Sequence, residues 1–419
     1  MQEKVITLAT PVFFLLIFAE LLIGHLRGRT GYRANDAINS ISLGVMSQVS
    51  GAFFKIFQVG IYAWMVAHIA LFNLSPTSVW VWVLGLLLYD FCYYWLHRMG
   101  HEVNVLWAAH VVHHQSEAYN LSTALRQTST GAFLSWIFYL PLALIGVPVE
   151  VFIVIALIDL LYQFWVHTEQ IGRLGWFDRV FVSPSNHRAH HGVNDIYLDK
   201  NYGGILILWD RWFGTFVEEH VDEPVVYGTR SPLRSWNPLI ANLDVYRSLW
   251  FDAWHASRFL DKLKVWVARP GWRPADVAAR WPGAAFDIRR EVFHPPLSTA
   301  SLAYCLMQFS LLLLVTTHFL AAHATLSMPL TLLYAGWLIG GLWIVGGLMQ
   351  QESSHYRLLE SLRLVATAAA ILSTQAWFGG VPLTPSYQVV IVAWCVASLA
   401  MTWKLFNLHR KVHGHLPDH

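Results

Sequence analysis

Long apolar runs, broken by short polar connections, alternate through both ends of this 419-residue chain. A membrane-crossing helix needs about 20 predominantly apolar residues to traverse roughly 30 Å of hydrocarbon. Runs that reach or approach that length lie at 5–24, 56–74, 77–96, 131–147, 149–168, 299–320, 327–349, 364–379 and 387–403. Pro11 interrupts the first, Pro148 divides the fourth from the fifth, and the eighth is short and alanine-rich. From 170 to 296 no run is long enough to span, and charged residues become denser. The pattern predicts an all-α, polytopic integral membrane bundle of about nine transmembrane helices. It divides the chain into N-terminal transmembrane and interfacial segments (1–75), a histidine-rich central region (76–296), and C-terminal transmembrane helices with a polar tail (297–419).

Composition agrees. Apolar residues make up 55% of the chain and charged ones only 13%, where a soluble protein carries about a quarter charged residues. The 21 Trp and 16 Tyr suit interfacial anchoring. A net charge of +2 is too small to suggest nucleic acid as a partner. Cys92, Cys305 and Cys395 sit in or beside apolar runs, so neither a disulfide framework nor a thiolate metal site is indicated. The first apolar run follows MQEK without a small-residue cleavage site, which reads as an anchor and not a signal peptide. With nine spans, every Lys and Arg except Lys4 falls on one side, in 25–55, 97–130, 169–297, 350–363 and the tail from 404. The connections near 75, 148, 323 and 383 hold none. The positive-inside rule then makes that side cytoplasmic, in a bacterial inner membrane or the endoplasmic reticulum, with the N-terminus opposite.

Both histidine-rich stretches lie on that cytosolic side and form a candidate catalytic cap. HRMGHEVNVLWAAHVVHH (97–114) holds His97-x-x-x-His101 and His110-x-x-His113-His114. SNHRAHHG (185–192) repeats the latter spacing in His187, His190 and His191. Residues three and four apart share a helix face, so each motif presents a row of imidazoles. Single histidines without such a pattern, among them His68, His318 and His323, read as ordinary core or interface residues. His25, His355, His409, His413 and His415 also lack one. Eight clustered imidazoles overfill a zinc site, which takes four ligands when structural and three plus water when catalytic. Haem would need one or two axial ligands inside the bundle, and His101-Glu102 is not followed by a histidine at 105 as a zinc protease motif requires. Two oxygen-activating irons fit the count best. His167, in VHTE, is a candidate ninth ligand. Glu102, Glu169 and Asp195 are candidates to accept imidazole N–H groups, and Asp90 or Asp159 could each pair with a ligand or bridge two spans. A transporter would instead place ionisable ligands at mid-membrane.

These motifs, with WAAHVVHHQSEAYNLSTALRQ (107–127), VHTE (166–169), SNHRAHHGVN (185–194), YLDKNYGG (197–204) and WDRWFGTF (209–216), resemble the membrane-bound fatty acid hydroxylase and sterol desaturase superfamily. The flanking words are similar to its alkylglycerol (ether-lipid) branch. The resemblance covers 75–230 and implies a di-iron, O2-dependent lipid monooxygenase. Metal ligands would be His97, His101, His110, His113, His114, His187, His190, His191 and His167. Glu102 and Asp195 would be the catalytic carboxylates. It implies hydroxylation beside an ether oxygen and release of a fatty aldehyde, with sterol or fatty acyl hydroxylation or desaturation as the alternative. Arg126, Arg188, Lys200 and Arg211 are candidates for a phosphate-bearing headgroup. Gly203-Gly204 lacks the context of a nucleotide-binding fingerprint, so electrons must come from a separate donor. The ether-lipid branch implies tetrahydrobiopterin, and other members imply a cytochrome b5 or a reductase.

Overall fold

The computed structural model describes residues 2–350, 353–378 and 380–406. They fall into two compact units. One comprises residues up to Ser47, Phe53–Leu233 and Ile240–Val292, and the other Gln48–Ala52, Arg234–Leu239 and the chain from Phe293.

The first unit carries every clustered histidine. Its longer helices are α1 (Gln2–Leu26), α2 (Ala34–His68, which runs through a short piece of the second unit), α3 (Val79–Glu102), α4 (Asn104–His114) and α5 (Val149–Trp165). The short α6 (Pro184–His190) follows, and then α7 (Pro238–His255, whose first two residues belong to the second unit) and α8 (Phe259–Val267). α3 and α5 pack closely at Gly85, where an added Cβ would meet Ile155 Cδ1 at 3.1 Å. Their core contains Tyr62, Tyr89, Leu142, Val151, Phe152 and Ile155. Tyr62 stacks on Phe152 at 4.0 Å and donates its hydroxyl to the Val147 carbonyl at 2.9 Å. One extended residue, Val103, separates α3 from α4 and turns the chain sharply between two histidine-bearing helices.

The second unit is built mainly from α9 (Thr299–Ala322), α10 (Met328–Met349), α11 (Ser353–Thr374) and α12 (Pro385–Leu405). A two-stranded antiparallel ribbon, Ala376–Trp377 with Val381–Pro382, links α11 to α12.

The expectation of nine spans is not met. Among the described residues four helices are long and apolar enough to cross a membrane: Val79–Glu102, Thr299–Thr325, Met328–Met349 and Pro385–Leu405. A fifth is added if Ala34–Phe54 and Phe57–His68, bent by 42° to each other, count as one span. The other apolar runs do not become spanning helices, for identifiable reasons. The run at 131–147 breaks into Ala132–Ser135, a 3-10 turn at Trp136–Tyr139 and Leu140–Ile145. Gly146 ends it at φ 96°, where an added Cβ would lie 1.9 Å from the Phe72 carbonyl oxygen. α5 has 17 residues, about 25 Å of helix at 1.5 Å per residue. α1 offers a similarly short apolar stretch, Thr10–Leu26. α11 carries Arg357, Glu360 and Arg363. The protein remains an all-α integral membrane protein, with fewer candidate spans among the described residues than its hydropathy suggests.

α11 places a buried ion pair inside the second unit. Arg363 donates to both Glu360 oxygens at 2.8 and 2.9 Å and to Gln308 Oε1 at 3.0 Å. The Tyr304 hydroxyl donates to Glu360 at 2.9 Å, and Gln308 Nε2 donates to Ser398 Oγ at 2.9 Å. Removing one partner of a buried pair strands the other charge, which costs about 3–5 kcal/mol, whereas replacing both by apolar groups costs far less. Glu360→Ala is therefore expected to lower the unfolding temperature in detergent sharply, and the double variant Glu360→Leu with Arg363→Met to recover most of that loss.

Candidate metal centre

Four pieces of chain deliver the nine histidines. His97 and His101 occupy the last two turns of α3, and His110, His113 and His114 line α4. His167 lies just beyond α5. α6 begins with Pro184 in its first turn behind a reciprocal Ser183–Asn186 capping box, which fixes the helix start and so the directions of His187, His190 and the following His191.

The imidazoles sort into two groups. His97, His101, His110, His114 and His190 form one, and His113, His167, His187 and His191 the other, with the ligand atoms of each group all within 4.8 Å of one another. The two H-x-x-H-H motifs divide reciprocally. His110 and His114 stay in the first group while His113 crosses to the second, and His187 and His191 stay in the second while His190 crosses to the first. The groups adjoin, with His114 and His191 stacked at 4.3 Å.

Ring orientation is set by backbone carbonyls. The Nδ1–H groups of His97, His113, His167 and His190 donate to the carbonyls of Tyr202, Arg126, Gln163 and Lys200 at 2.8, 3.0, 2.7 and 2.9 Å. A neutral imidazole that donates from Nδ1 has a bare lone pair on Nε2. The bare Nε2 atoms of His113 and His167 nevertheless face each other at 3.1 Å, and neither has a proton to give. Nε2 of His97, His101 and His190 is buried without any partner. Facing lone pairs and orphaned nitrogens in a closed site are what a cation would satisfy. The donor set therefore fits a pair of metal ions, one per group, and imidazole suits iron or zinc.

A second layer holds those carbonyls in place. Asp210 accepts the Tyr202 and Gly203 amides, both at 2.7 Å. Asp90 accepts the Ile205 amide at 2.7 Å, the Leu206 amide at 3.0 Å and the Trp209 indole at 2.8 Å. Asp90 thus clamps the 202–209 loop instead of pairing with a ligand. The glycines allow the close approach, since a Cβ on Gly204 would lie 2.7 Å from Asp159 Oδ1 and 3.0 Å from Asp90 Oδ1. Asp159 itself accepts Gln163 Nε2 at 2.6 Å, and Gln163 is the residue whose carbonyl accepts from His167. Tyr119 stacks on His167 at 5.5 Å and donates to the Val166 carbonyl at 2.9 Å. Sequence reading missed Asp210 and Tyr119, although both lie in stretches that resemble the superfamily.

The expected carboxylates lie outside both groups. Glu102 pairs with Arg98 at 3.0 Å and Arg269 at 3.5 Å. Asp195 is 92% exposed and pairs with Arg230. Glu169 accepts the Tyr227 hydroxyl at 3.1 Å. Of the basic candidates, Arg126 is buried and donates to the Val112 carbonyl at 2.6 Å and Asn39 at 2.7 Å. Arg188 binds Glu219 and the carbonyls of Thr168 and Ile171. Arg211 donates to the Arg179 carbonyl and lies over Phe216, and Lys200 lends its carbonyl to His190. His318 contacts the Tyr334 hydroxyl at 3.0 Å, far from any ligand group in sequence and outside both. His409, His413 and His415 lie outside the described residues.

Burial pushes the imidazoles towards neutrality, the form that binds metal. His113 is pushed down to about 4, and His110, His114, His167, His187, His190 and His191 lie well below the usual histidine range for the same reason, helped by neighbouring imidazoles. These groups are protonated in the unfolded chain below about pH 6.5 but not in the fold. Lowering the pH from 6.5 towards 4 should thus destabilise the metal-depleted protein, because the unfolded chain takes up protons that the buried rings do not. Thermal unfolding of chelator-treated protein across that range checks the sign. His113→Ala should also reduce bound metal, measured by elemental analysis, whereas His318→Ala should leave it unchanged.

Comparison with known proteins agrees with this geometry. The fatty acid hydroxylase family matches residues 82–215. The chain is 40% identical over 358 residues to the alkylglycerol monooxygenase of Homo sapiens, covering 85% of this chain and 80% of that protein. It is 37% identical over 415 residues to the alkylglycerol monooxygenase of Danio rerio, covering 97% and 90%. An ornithine lipid hydroxylase of Rhizobium tropici is 33% identical over 135 residues, 32% of this chain and 41% of that one. No solved structure matches. The chain belongs to the fatty acid hydroxylase and sterol desaturase superfamily, alongside the alkylglycerol monooxygenases that it resembles along most of its length.

Proposed function

We propose that this protein is a di-iron, O2-dependent membrane lipid monooxygenase that hydroxylates the carbon beside the ether oxygen of an alkylglycerol-type lipid. The reading is carried by the two histidine groups, in which Nε2 of His97, His101 and His190 is buried without a partner and the proton-free Nε2 atoms of His113 and His167 face each other. The similarity to alkylglycerol monooxygenases supports the substrate class. His97, His101, His110, His114 and His190 would hold one iron, and His113, His167, His187 and His191 the other. Bound iron supplies the activation of O2 that oxidation of an unreactive C–H bond requires. The chain keeps the imidazoles neutral and oriented and excludes water from them. Glu102, held between Arg98 and Arg269, fixes the end of α3 beside His101, and Asp195 is paired with Arg230 at the surface.

One oxygen atom enters the C–H bond and the other leaves as water, with two electrons and two protons supplied from outside. The resulting hemiacetal loses its hydroxyl proton and breaks its ether C–O bond, giving a fatty aldehyde and the glycerol. The donor that the resemblance to the ether-lipid branch implies is a reduced pterin, tetrahydrobiopterin, with a cytochrome b5 or a reductase as the alternative. The centre faces the cytoplasm, a reading supported by the Lys and Arg concentrated in the segments around the histidines. Hydroxylation of a fatty acyl or sterol substrate is the second reading, favoured by the family match over the histidine region.

Anaerobically purified protein should hold two irons per chain and form fatty aldehyde from an alkylglycerol when given reduced pterin and O2. Two irons without aldehyde would leave only the hydroxylase class. Less than one metal per active chain would remove the dinuclear centre.

A further inference from the structure

α8 is an amphipathic helix turned the wrong way round for a soluble domain. Its sequence FLDKLKVWV places Phe259, Leu260, Leu263 and Val267 along one face. That face points away from the protein, with Phe259 70%, Leu260 69% and Val267 65% exposed. Only Val265 is fully buried. The neighbouring α7 does the same with Leu243, Trp250 and Trp254, which are exposed at helical spacing. The two faces adjoin, since Leu249 and Val265 share a core with Ala253 and Trp266, and Lys262 Nζ donates to the Trp254 carbonyl at 3.1 Å. Neither helix is among those long and apolar enough to cross a membrane, so the transmembrane segments do not account for this surface. Contiguous exposed apolar area of this kind marks an interaction site.

Three observations identify what covers it. Between 247 and 280 the chain holds seven basic and three acidic residues, and Arg247, Arg258 and Lys264 are exposed around the apolar face. Trp250, Trp254, Trp266 and Trp272 cluster there, with Lys264 lying 4.5 Å over Trp272. Tryptophan and basic side chains flanking an apolar stripe are the signature of a helix lying in the membrane interface. The third observation is depth. The Asn104 amide donates to the Ala268 carbonyl at 2.9 Å and Asn104 Nδ2 to the Val265 carbonyl at 2.8 Å. Asn104 stands two residues past the end of the spanning α3, whose 24 residues reach about 36 Å and so end at the headgroup level.

We propose that α7 and α8 form a monotopic membrane-contact surface, with the face Phe259, Leu260, Leu263 and Val267 inserted at the headgroup–acyl boundary of an anionic leaflet. The surface is independent of which lipid is oxidised. Through Asn104 it also pins the start of α4, the helix that carries three of the nine histidines, to that boundary.

The test uses full-length protein in nanodiscs containing phosphatidylglycerol. The native cysteines are buried, so a nitroxide on Leu263→Cys, and separately on Leu260→Cys, can be compared with one on the exposed, polar Asp222→Cys. Both helix labels should collide with O2 several-fold more often, relative to a water-soluble nickel chelate, than the Asp222 label does. A ratio equal to that of Asp222 would place the face in water and overturn the proposal. Shielding from both reagents would show a protein partner or a second copy on the face, and would overturn it equally.

Discussion

Nine imidazoles packed together without one carboxylate among them are tolerable only while every ring stays neutral and every lone pair has something to meet. Two divalent cations would satisfy the nitrogens but leave about four positive charges in a buried site, with no anionic ligand to offset them. The compensation comes chiefly from dipoles, with the Asp199 carboxylate 3.7 Å from His101 Nδ1 at the edge of the first group. Backbone carbonyls of Tyr202, Arg126, Gln163 and Lys200 accept the outer N–H of four rings, which makes each inner nitrogen a better donor. Carbonyls work only if the loops bearing them cannot drift. That requirement explains why Asp90 and Asp210 spend their oxygens on amides of the 202–209 loop, and why Gly203 and Gly204 lack side chains where the carboxylates come in.

The same requirement explains the arginines. Arg126 is buried with its guanidinium on Val112, Asn39 and Gln115, so it ties α4 to α2 at the point where its own carbonyl meets His113. Arg188 sits inside the H-x-x-H-H motif of α6 and fastens that helix to the 168–171 segment beside His167. Positive charge near a cationic centre looks costly, yet here each guanidinium is spent on holding a ligand helix and not on a substrate.

How much of this was legible in the sequence follows from the range of each interaction. The histidine spacings are local, so the eight motif histidines could be picked out directly, whereas His167 belongs to no motif and reads only as a candidate. Their division into two groups was not within reach, because residues three and four apart share a helix face and the spacing does not say which ring crosses. Nor were the clamps: Asp90 acts on amides 115 and 116 residues away, and nothing at position 90 reveals them. Counting spans failed for a different reason. Hydropathy measures how apolar a run is, but crossing needs an unbroken helix, and Gly146, Pro148 and the turn at Trp136–Tyr139 break one. α8 escaped because its lysines and aspartate lower the average of a stripe that is apolar only on one face.

Depth joins the chemistry to the membrane. His97 and His101 lie within the last two turns of α3, and α8 is bonded to the residue that begins α4, so the membrane placement proposed for α8 puts the centre near the polar–apolar junction of the leaflet. In an alkylglycerol the oxidisable carbon is bonded directly to the headgroup oxygen and sits at that same junction. A carbon in the middle of an acyl chain lies far deeper, and reaching this centre would mean pulling about ten methylenes out of hydrocarbon at roughly 0.8 kcal/mol each unless the protein covered them. A tunnel of apolar side chains can provide such cover, but the ether carbon needs none. The position of the histidines therefore favours, on energetic grounds, the ether-lipid reading over mid-chain hydroxylation.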